Sequence, residues 1–345
     1  MTIRKQTLGI AALLAGVWFT ATPAVAQPAA DYFKGKTIGI NIGYGPGGGY
    51  DTYGRVLARH FGRHVPGNPN VVPKNMPGAG ALKAANYIYN SAPKDGTELG
   101  LVASSTLMEP MFDNDQAQFD AAKFTWLGSM SRDISHCGIR KGAGVASFDD
   151  WLKQGKELTF GSTGPAAITH QHPLVMKNVL GANARAVAGY QGTKEVSMAV
   201  ERGEMDGICG LFVSSIQASY LPLIKSGELI LLIQMGQTRT DVFGNLPSVY
   251  DYAKTDQDRQ VLEIHFDQLA LARPIMAPPG MTADRIALLR KAFEESMKDP
   301  ALLADAQKVG LDIDLMTGVE GERLLIKLAD YPKSAIEAAK KAIDR

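Results

Sequence analysis

The sequence comprises 345 residues, of which 45% are hydrophobic, and its formal net charge is +1 at pH 7. A chain of this length and apolar content can form two domains of ordinary size, each with its own buried core. The near-zero net charge excludes bulk electrostatic attraction to nucleic acid or to an anionic membrane surface. We therefore expect no nucleic-acid partner.

The first 26 residues have the features of a cleavable export signal. Arg4 and Lys5 precede an apolar run over residues 8–19, and Ala24–Ala26 has the small-residue pattern of a cleavage site. The apolar run is too short to span a bilayer. The sequence therefore predicts cleavage after Ala26 and a periplasmic location.

The stretch from Thr37 to Phe61 combines a strand, a glycine-rich turn and a helix. Isoleucine alternates with glycine or asparagine from Ile38 to Ile42, which is the period-two pattern of a strand, and apolar residues recur at helical spacing from Tyr53 onward. Between them, the turn Gly45–Gly49 carries almost no side chains. Backbone N–H groups and the positive end of the helix dipole therefore face whatever lies there, which predicts an anion site.

Other interpretations of this turn remain open. The glycines also fit a tight turn that binds nothing, with Asp51 or Thr52 capping the helix. A nucleotide-binding P-loop requires Gly-Lys-Ser/Thr after its glycines, whereas Tyr50, Asp51 and Thr52 follow here. The dinucleotide motif G-x-G-x-x-G fits only if Tyr50 replaces its last glycine. Both nucleotide interpretations are weak.

Two further strand–loop–helix units follow. A strand at 71–72 leads to a helix over Ala81–Asn90, and a strand over Glu98–Ala103 ends in Ser104 and Ser105. Successive units of this kind predict a parallel, doubly wound α/β sheet. Because such sheets bind ligands beyond the carboxyl ends of their strands, Ser104 and Ser105 are candidate ligand contacts.

The same pattern restarts at Trp126 and predicts a second domain. Its strand Leu158–Phe160 runs into another glycine-rich turn, Gly161–Ala166, which opens a helix, and a later strand ends at Tyr190–Gly192. The strand Leu229–Gln234 leaves this unit. Two glycine-opened helix starts, one in each domain, are what a two-lobed clamp for a small anion needs.

The two cysteines, Cys137 and Cys209, both lie in predicted strands of the second domain. An oxidising compartment permits them to form a disulfide. Two buried, unpaired thiols are the alternative, because free cysteine is commonly buried. The sequence leaves this choice open.

The remainder of the chain, from Thr238, is predicted to be helical, and no catalytic arrangement is visible in it. Asp299-Pro300 and Gly310 have the composition of helix ends. The predicted helices are Asp251–His265, Ala283–Lys298, Ala301–Val309 and Val319–Ala342.

A series of different short motifs extends from residue 46 to residue 280. They are Pro46–Asp51 (Pro-Gly-Gly-Gly-x-Asp), Asn75–Gly80, Asp95–Leu99 (Asp-Gly-x-x-Leu), Gly161–Gly164 with His170 downstream, Gly189–Gly192, Gly203–Asp206, Ser226–Leu229, Thr238-Arg239, Leu246-Pro247 and Ala277–Gly280. In order and spacing this series resembles the substrate-binding proteins of tripartite tricarboxylate transporters, the Bug or TctC family. The likeness covers nearly the whole chain after the export signal.

The resemblance implies a type II periplasmic-binding-protein fold, an α/β architecture with two lobes that close on a ligand carboxylate. Each lobe would be a doubly wound, mostly parallel sheet. Lobe I would comprise residues 27–128 and 237–345, and lobe II residues 129–236, with hinge strands near 126–132 and 231–237.

The same resemblance implies binding without catalysis, with no cofactor and no metal. The expected partners are a small organic carboxylate and the membrane components of a tripartite tricarboxylate-type transporter, and the expected state is a monomer. The candidate ligand-binding residues are Tyr44, Pro46, Gly47, Gly48, Gly49, Asp51, Ser104, Ser105, Ser162, Thr163, Gly164, Ala166, Tyr190 and Gly192.

Three positions depart from the family pattern. Met76 replaces the usual arginine, Gly189 replaces the usual proline, and Ala167 lies where the family often has a hydroxyl residue. The missing hydroxyl removes a donor from the expected pocket. The identity of the ligand therefore cannot be copied from a relative.

The alternative to a binding protein is a secreted hydrolase or a metal-dependent enzyme that uses His170 and His172. A His-x-His pair points its rings to different sides of a helix, and zinc needs three or four ligands. A Ser162–His170 pair lacks a nucleophile-elbow motif and an acid. A purely structural protein would need neither the export signal nor two anion-ready loops. Tyr44, Tyr50 and Tyr190 flank the loops, where they either stack on an aromatic acid or pack the loop edges.

Overall fold

The structure, a computed structural model, describes residues 32–344. The predicted export signal and its cleavage after Ala26 lie outside the described residues and stay predictions. Within the described residues the chain forms two mixed sheets covered by helices, as predicted for a two-lobed α/β protein. The strands are β1 (Thr37–Ile42), β2 (Asn70–Asn75), β3 (Glu98–Leu101), β4 (Thr125–Ser129), β5 (Ser135–Arg140), β6 (Leu158–Ser162), β7 (Ala184–Ala188), β8 (Gly207–Phe212), β9 (Leu229–Met235), β10 (Pro274–Ala277) and β11 (Met316–Thr317).

The first sheet has the strand order β11-β4-β10-β3-β1-β2. Strands β1, β2 and β3 are parallel, as the three strand–loop–helix units predict, whereas β10 runs antiparallel to both of its neighbours. Ile38, Ile40 and Ile42 are fully buried because β1 is covered on both faces. The loops that follow β1 and β3 therefore emerge at one edge of this sheet.

The second sheet has the order β7-β6-β8-β5-β9. Strand β6 is parallel to β7 and β8, and β5 is antiparallel to β8 and β9. The chain enters this sheet between β4 and β5 and leaves it after β9. The lobe boundaries and hinge strands given above stay predictions.

Helices cover the faces of both sheets. In chain order they are α1 (Gly49–Phe61), α2 (Leu82–Asn90), α3 (Ser104–Met108), α4 (Phe148–Gln154), α5 (Ile168–Leu180), α6 (Thr193–Glu201), α7 (Val213–Ser215), α8 (Leu221–Lys225), α9 (Asp256–Phe266), α10 (Ala283–Ser296), α11 (Pro300–Lys308), α12 (Gly318–Ala329) and α13 (Lys333–Ala342). Short 3₁₀ or π turns lie at Gly62–His64, Ala79–Ala81, Glu109–Phe112, Ala121–Lys123, Lys141–Ala143, Ile216–Tyr220, Val249–Tyr252 and Asp267–Ala270.

The C-terminal region differs from its prediction in three ways. Strand β10 lies inside the first sheet, although this region was predicted to contain helices alone. Helix α9 begins at Asp256 because Thr255 and Asp258 form a reciprocal capping box. The predicted helix Val319–Ala342 is two helices, because Pro332 precedes α13 and cannot donate the backbone hydrogen bond that a continuous helix needs.

The two cysteines form a disulfide between neighbouring strands. Cys137 lies in β5 and Cys209 in β8, and the bond closes a sequence separation of 72 residues. Both residues are fully buried. Of the two alternatives left open by the sequence, the structure has the disulfide.

None of the helices described between residues 32 and 344 is long and apolar enough to cross a membrane.

Candidate functional site

Three of the described helices begin beside one cavity between the two sheets. Their N-cap residues are Gly48 for α1, Ala167 for α5 and Gly192 for α6, and in the described structure none of the three caps its helix through a side chain. The first N–H groups of a helix have no partner within it and carry the positive end of its dipole. The convergence of three such ends makes the cavity suited to an anion.

The cavity is small, because the two lobes lie against each other. Its volume is about 20 Å³, enough for about one water molecule. Its walls combine helix starts, aromatic rings and hydroxyl groups: Tyr44, Gly48, Gly49, Tyr50, Thr163, Ala167, Ile168, Thr169, Thr193, Gly210, Phe212 and Ser215.

Asp51 holds the glycine-rich loop Gly45–Gly49 in shape. Its carboxylate accepts hydrogen bonds from Gly47 N–H at 2.8 Å and from the Asn75 amide at 2.8 Å, and it pairs with Arg55 at 2.9 Å. Burial acts to raise the pKa of Asp51, but the bonds from Arg55, Gly47 and Asn75 outweigh it and hold that pKa below its ordinary value. Gly47 has a φ of +81°, which favours glycine.

The loop that faces Gly45–Gly49 across the cleft is Gln191–Thr193. Gly45 N–H donates to the carbonyl of Gln191 at 2.8 Å. A Cβ atom on Gly48 would lie 2.8 Å from Thr193 Oγ1. Close contact between the lobes at this point therefore depends on the missing side chain of Gly48.

The second glycine-rich loop, Ser162–Ala166, closes on another part of the first lobe. A Cβ atom on Gly164 would lie 2.4 Å from the backbone nitrogen of Gly80. Ser105 Oγ donates to the carbonyl of Ala166 at 2.9 Å. Both close approaches join the two lobes, and each involves backbone atoms of the second glycine-rich loop or of Gly80.

A buried side-chain pair joins the lobes beside this loop. Gln171 Nε2 donates to Glu109 Oε1 at 2.6 Å, and both residues are buried. Because a carboxylate is a strong acceptor, this hydrogen bond favours the closed arrangement of the lobes.

Hydroxyl groups supply most of the polar side-chain atoms around the cavity. Thr169 Oγ1 accepts from Thr163 N–H at 3.1 Å and lies 3.2 Å from Thr163 Oγ1. Ser104 Oγ, which does not line the cavity, is buried and has no hydrogen-bond partner within the described structure. A ligand oxygen would satisfy such a donor.

The tyrosines predicted near the loops behave differently from one another. Tyr44 and Tyr50 stack on each other with ring centroids 4.5 Å apart, and both line the cavity. Burial raises the pKa of Tyr50 to about 12. Tyr190 is half-buried, and its N–H donates to the carbonyl of Ser162 at 3.3 Å.

The predicted site residues thus separate into groups. Tyr44, Gly48, Gly49 and Thr163 line the cavity. Pro46 and Gly47 are exposed residues of the first glycine-rich loop, which Asp51 supports. The others do not line the cavity: Ser104, Ser105, Ser162, Gly164, Ala166, Tyr190 and Gly192.

Sequence reasoning missed several residues of the cavity wall. Thr193 directly follows the predicted Tyr190–Gly192 loop, and Ile168 and Thr169 follow the second glycine-rich turn, so the helix-start argument could have found them. Phe212 ends strand β8 and Ser215 follows it, so the rule about carboxyl ends of strands also applies to them. Arg273, which contacts both of them, carries no motif and precedes a strand that was not predicted.

The histidines of the enzyme alternative are packed into the second lobe. Ser162 Oγ and His170 Nδ1 are hydrogen-bonded at 2.9 Å, but Ser162 is 0% exposed, so a substrate cannot reach its hydroxyl. His172 is buried with its Nδ1 3.2 Å from Ser135 Oγ. Among residues 32–344, no group of three or more His, Cys, Asp or Glu is arranged to hold a metal ion.

Comparison with solved structures finds the same two-lobed fold. The periplasmic binding protein BugD aligns with a TM-score of 0.71 at 16% identity, over 89% of this chain and 97% of BugD. MatC from Rhodopseudomonas palustris, solved with bound malate, aligns with a TM-score of 0.68 at 15% identity, over 90% of this chain and 99% of MatC.

Comparison of sequences extends over almost the full length. The UPF0065 protein in the gbd 5′ region of Cupriavidus necator is 25% identical over 336 residues, which cover 95% of this chain and 94% of that protein. The family model described as the tripartite tricarboxylate transporter family receptor, TctC, matches residues 55–338. The chain therefore belongs to the TctC receptor family of tripartite tricarboxylate transporters.

Proposed function

We propose that this protein is a periplasmic receptor that captures a small organic carboxylate between its two lobes and delivers it, as a monomer, to the membrane components of a tripartite tricarboxylate-type transporter. The observation that carries this proposal is the convergence of three uncapped helix starts on one cavity between the lobes. Backbone N–H groups at such ends bind a carboxylate without needing a charged side chain.

The carboxylate would lie against the start of α1, at the N–H groups of Gly48 and Gly49. From the other lobe, the start of α6 at Thr193 and the hydroxyls of Thr163 and Thr169 would reach the same position. Hydrogen bonds to an ionised acceptor are stronger than neutral ones, so a closed cleft favours the acid over its uncharged derivatives.

The remaining predicted residues have supporting roles in this proposal. Asp51 and Gly47 shape the first loop, and Ser105, Gly164 and Ala166 form the contact that closes the cleft. Lobes built from 27–128 with 237–345 and from 129–236 would turn about the crossing segments. Because the closed cavity holds about one water molecule, the ligand would enter the open form and shift the equilibrium towards closure.

The enzyme alternative is not favoured, because the family consists of receptors that bind substrates for transport. MatC, which has the same fold, holds malate, so a cleft of this architecture accommodates a carboxylate.

A thermal-shift screen of mono- and dicarboxylates, aliphatic and aromatic, each beside its neutral amide, tests the proposal. A binding acid at a hundredfold excess over Kd stabilises the protein by about 2.7 kcal/mol, which is a measurable rise in Tm. We expect at least one acid to raise Tm while its amide does not. Equal shifts for acids and amides, or no shift for any acid, would contradict the carboxylate clamp.

A further inference from the structure

Arg273 is a cation buried at the junction of the lobes. It directly precedes β10 of the first sheet and is 0% exposed. Its guanidinium reaches the second lobe, where Nη2 donates to Ser214 Oγ at 3.1 Å and to Ser215 Oγ at 3.4 Å. Buried arginines of this kind are rare unless they are paired with a carboxylate.

No direct ion pair balances this charge. Within residues 32–344, no Asp or Glu oxygen lies within 4 Å of the Arg273 guanidinium. The buried Asp133 carboxylate acts on it electrostatically and is connected to it through Ser214, whose hydroxyl donates to Asp133 Oδ2 at 2.8 Å. Asp133 therefore compensates the charge from a distance, and the guanidinium keeps a place for an acid in direct contact with it.

The guanidinium also has unused donor capacity. Nη1 donates to the carbonyl of Ala272 at 2.9 Å, whereas Nε has no hydrogen-bond partner in the described structure. Three rings hold the group in place, with centroids 4.5 Å (Tyr50), 4.8 Å (Tyr53) and 4.2 Å (Phe212) from Arg273 Cζ. Aromatic faces attract a cation but accept no strong hydrogen bond, so they leave its N–H groups available.

The charge lies directly behind the wall of the anion cavity. A Cβ atom on Gly49 would lie 3.3 Å from Arg273 Nη2 and 2.4 Å from Ser215 Oγ. Gly49 and Ser215 both line the cavity, as do Tyr50 and Phe212. Because Gly49 has no side chain, the rotatable hydroxyl of Ser215 is what separates the guanidinium from the start of α1.

We propose that Arg273 determines the specificity of the receptor for acids, because its guanidinium supplies the one charged contact to the ligand carboxylate at the start of α1. The Ser215 hydroxyl turns away as the carboxylate arrives, and Nη2 and Nε donate to its oxygens in the forked geometry that suits a carboxylate. This inference rests on the proposed function. The competing interpretation is that Arg273 only holds the two lobes together, in which case its replacement would weaken the binding of every ligand equally.

The test measures Kd by titration calorimetry for the acid of the panel that binds the wild type best and for its neutral amide. The variants are Arg273→Gln, Arg273→Lys and Gly49→Ala, and Arg259→Gln removes a charge from an exposed helix position as the matched control. Gly49 is the first residue of α1, where alanine is a better helix former, so this variant places a methyl group beside Arg273 Nη2 and Ser215 Oγ while the arginine itself is kept.

We expect the preference for acid over amide to fall at least tenfold in Arg273→Gln and in Gly49→Ala, to recover in part in Arg273→Lys, and to stay unchanged in Arg259→Gln. An unchanged preference in both Arg273→Gln and Gly49→Ala, with acid and amide weakened alike, would overturn the role of Arg273 while leaving the carboxylate receptor intact. Failure of every acid to bind the wild type would instead overturn the proposed function. If Arg273→Gln does not fold, the result for Gly49→Ala decides.

Discussion

Replacing Gly48 with valine should separate binding from folding. Gly48 has φ −90° and ψ 174°, an extended conformation that valine adopts readily, and it precedes α1 as an N-cap without a side-chain bond. In the closed structure its Cβ atom would lie 2.8 Å from Thr193 Oγ1 in the opposite lobe. The clash therefore exists only when the lobes close.

The expected change in Kd follows from this difference between the open and the closed form. Overpacking a tight contact typically costs about 1–3 kcal/mol. Because the open form does not pay this cost, the penalty falls on closure and raises Kd about 5- to 150-fold. The free energy of unfolding of the ligand-free protein should change much less than that.

Calorimetric titration with the best acid of the screen measures the effect, and chemical unfolding without ligand checks the fold. Gly142→Val is the matched control, since the only side chain that its Cβ would crowd is the flexible end of Arg140. Gly48→Ala should also weaken binding, because its Cβ atom meets Thr193 Oγ1 in the closed structure. Adding Thr193→Ala to Gly48→Ala should restore part of the lost affinity, because it removes that oxygen atom. Normal binding by Gly48→Val, or no coupling between the two alanine substitutions, would refute the reasoning.

Three further predictions concern stability and loop shape. Replacing Cys137 and Cys209 together by alanine should lower the free energy of unfolding by about 4 kcal/mol, because the disulfide closes a separation of 72 residues; urea unfolding with and without reductant checks this, and equal midpoints would contradict it. Asp51→Ala should weaken binding of the acid more than it lowers Tm, since Asp51 orders the loop at Gly47; a change in Tm alone would contradict this. Unfolding should become easier as the pH falls below about 6.5, because burial lowers the pKa of three histidines in the folded state, so that the unfolded chain takes up protons first. The stabilisation from each neutral, buried histidine is complete above the pKa that the histidine has in the unfolded chain. It declines by about 2 kcal/mol per histidine by pH 5 and continues to fall until the pH reaches the pKa of the folded state. Urea unfolding at pH 8 and pH 5 measures the slope, which should be smaller in His172→Gln; a slope of the opposite sign would contradict the assignment. The three are His136 (pKa about 4), His172 (about 3) and His265 (about 4).

Local patterns predicted those parts of the fold that local forces determine. The alternation of isoleucine and glycine predicted β1, and the helical spacing that follows predicted α1. The glycine-rich turns predicted two of the helix starts at the cavity. In each case the decisive interactions join residues close in sequence, so a short window carries the information.

Strand β10 and Arg273 could not be predicted in this way. Four residues beginning with Pro274 have no visible period, and their place between β3 and β4 depends on pairing with strands more than a hundred residues away. Arg273 is adjacent to Ser214 and Phe212 only because the residue before β10 and the end of β8 lie together at the junction of the lobes. A single arginine in an apolar segment gives no sign of such a neighbourhood.

Contacts between residues distant in sequence also bear on the closure that the proposed function requires. The lobes share apolar packing and several hydrogen bonds, among them Gly45 to Gln191, Ser105 to Ala166 and Gln171 to Glu109. Each contributes on the order of 0.5–1.5 kcal/mol net, or somewhat more where a carboxylate accepts. Sums of this size are comparable with the differential affinity by which a ligand shifts a two-state equilibrium. Under the proposed function, a carboxylate at the starts of α1 and α6 would add to these hydrogen bonds and shift the equilibrium towards closure, and its release would shift the equilibrium back.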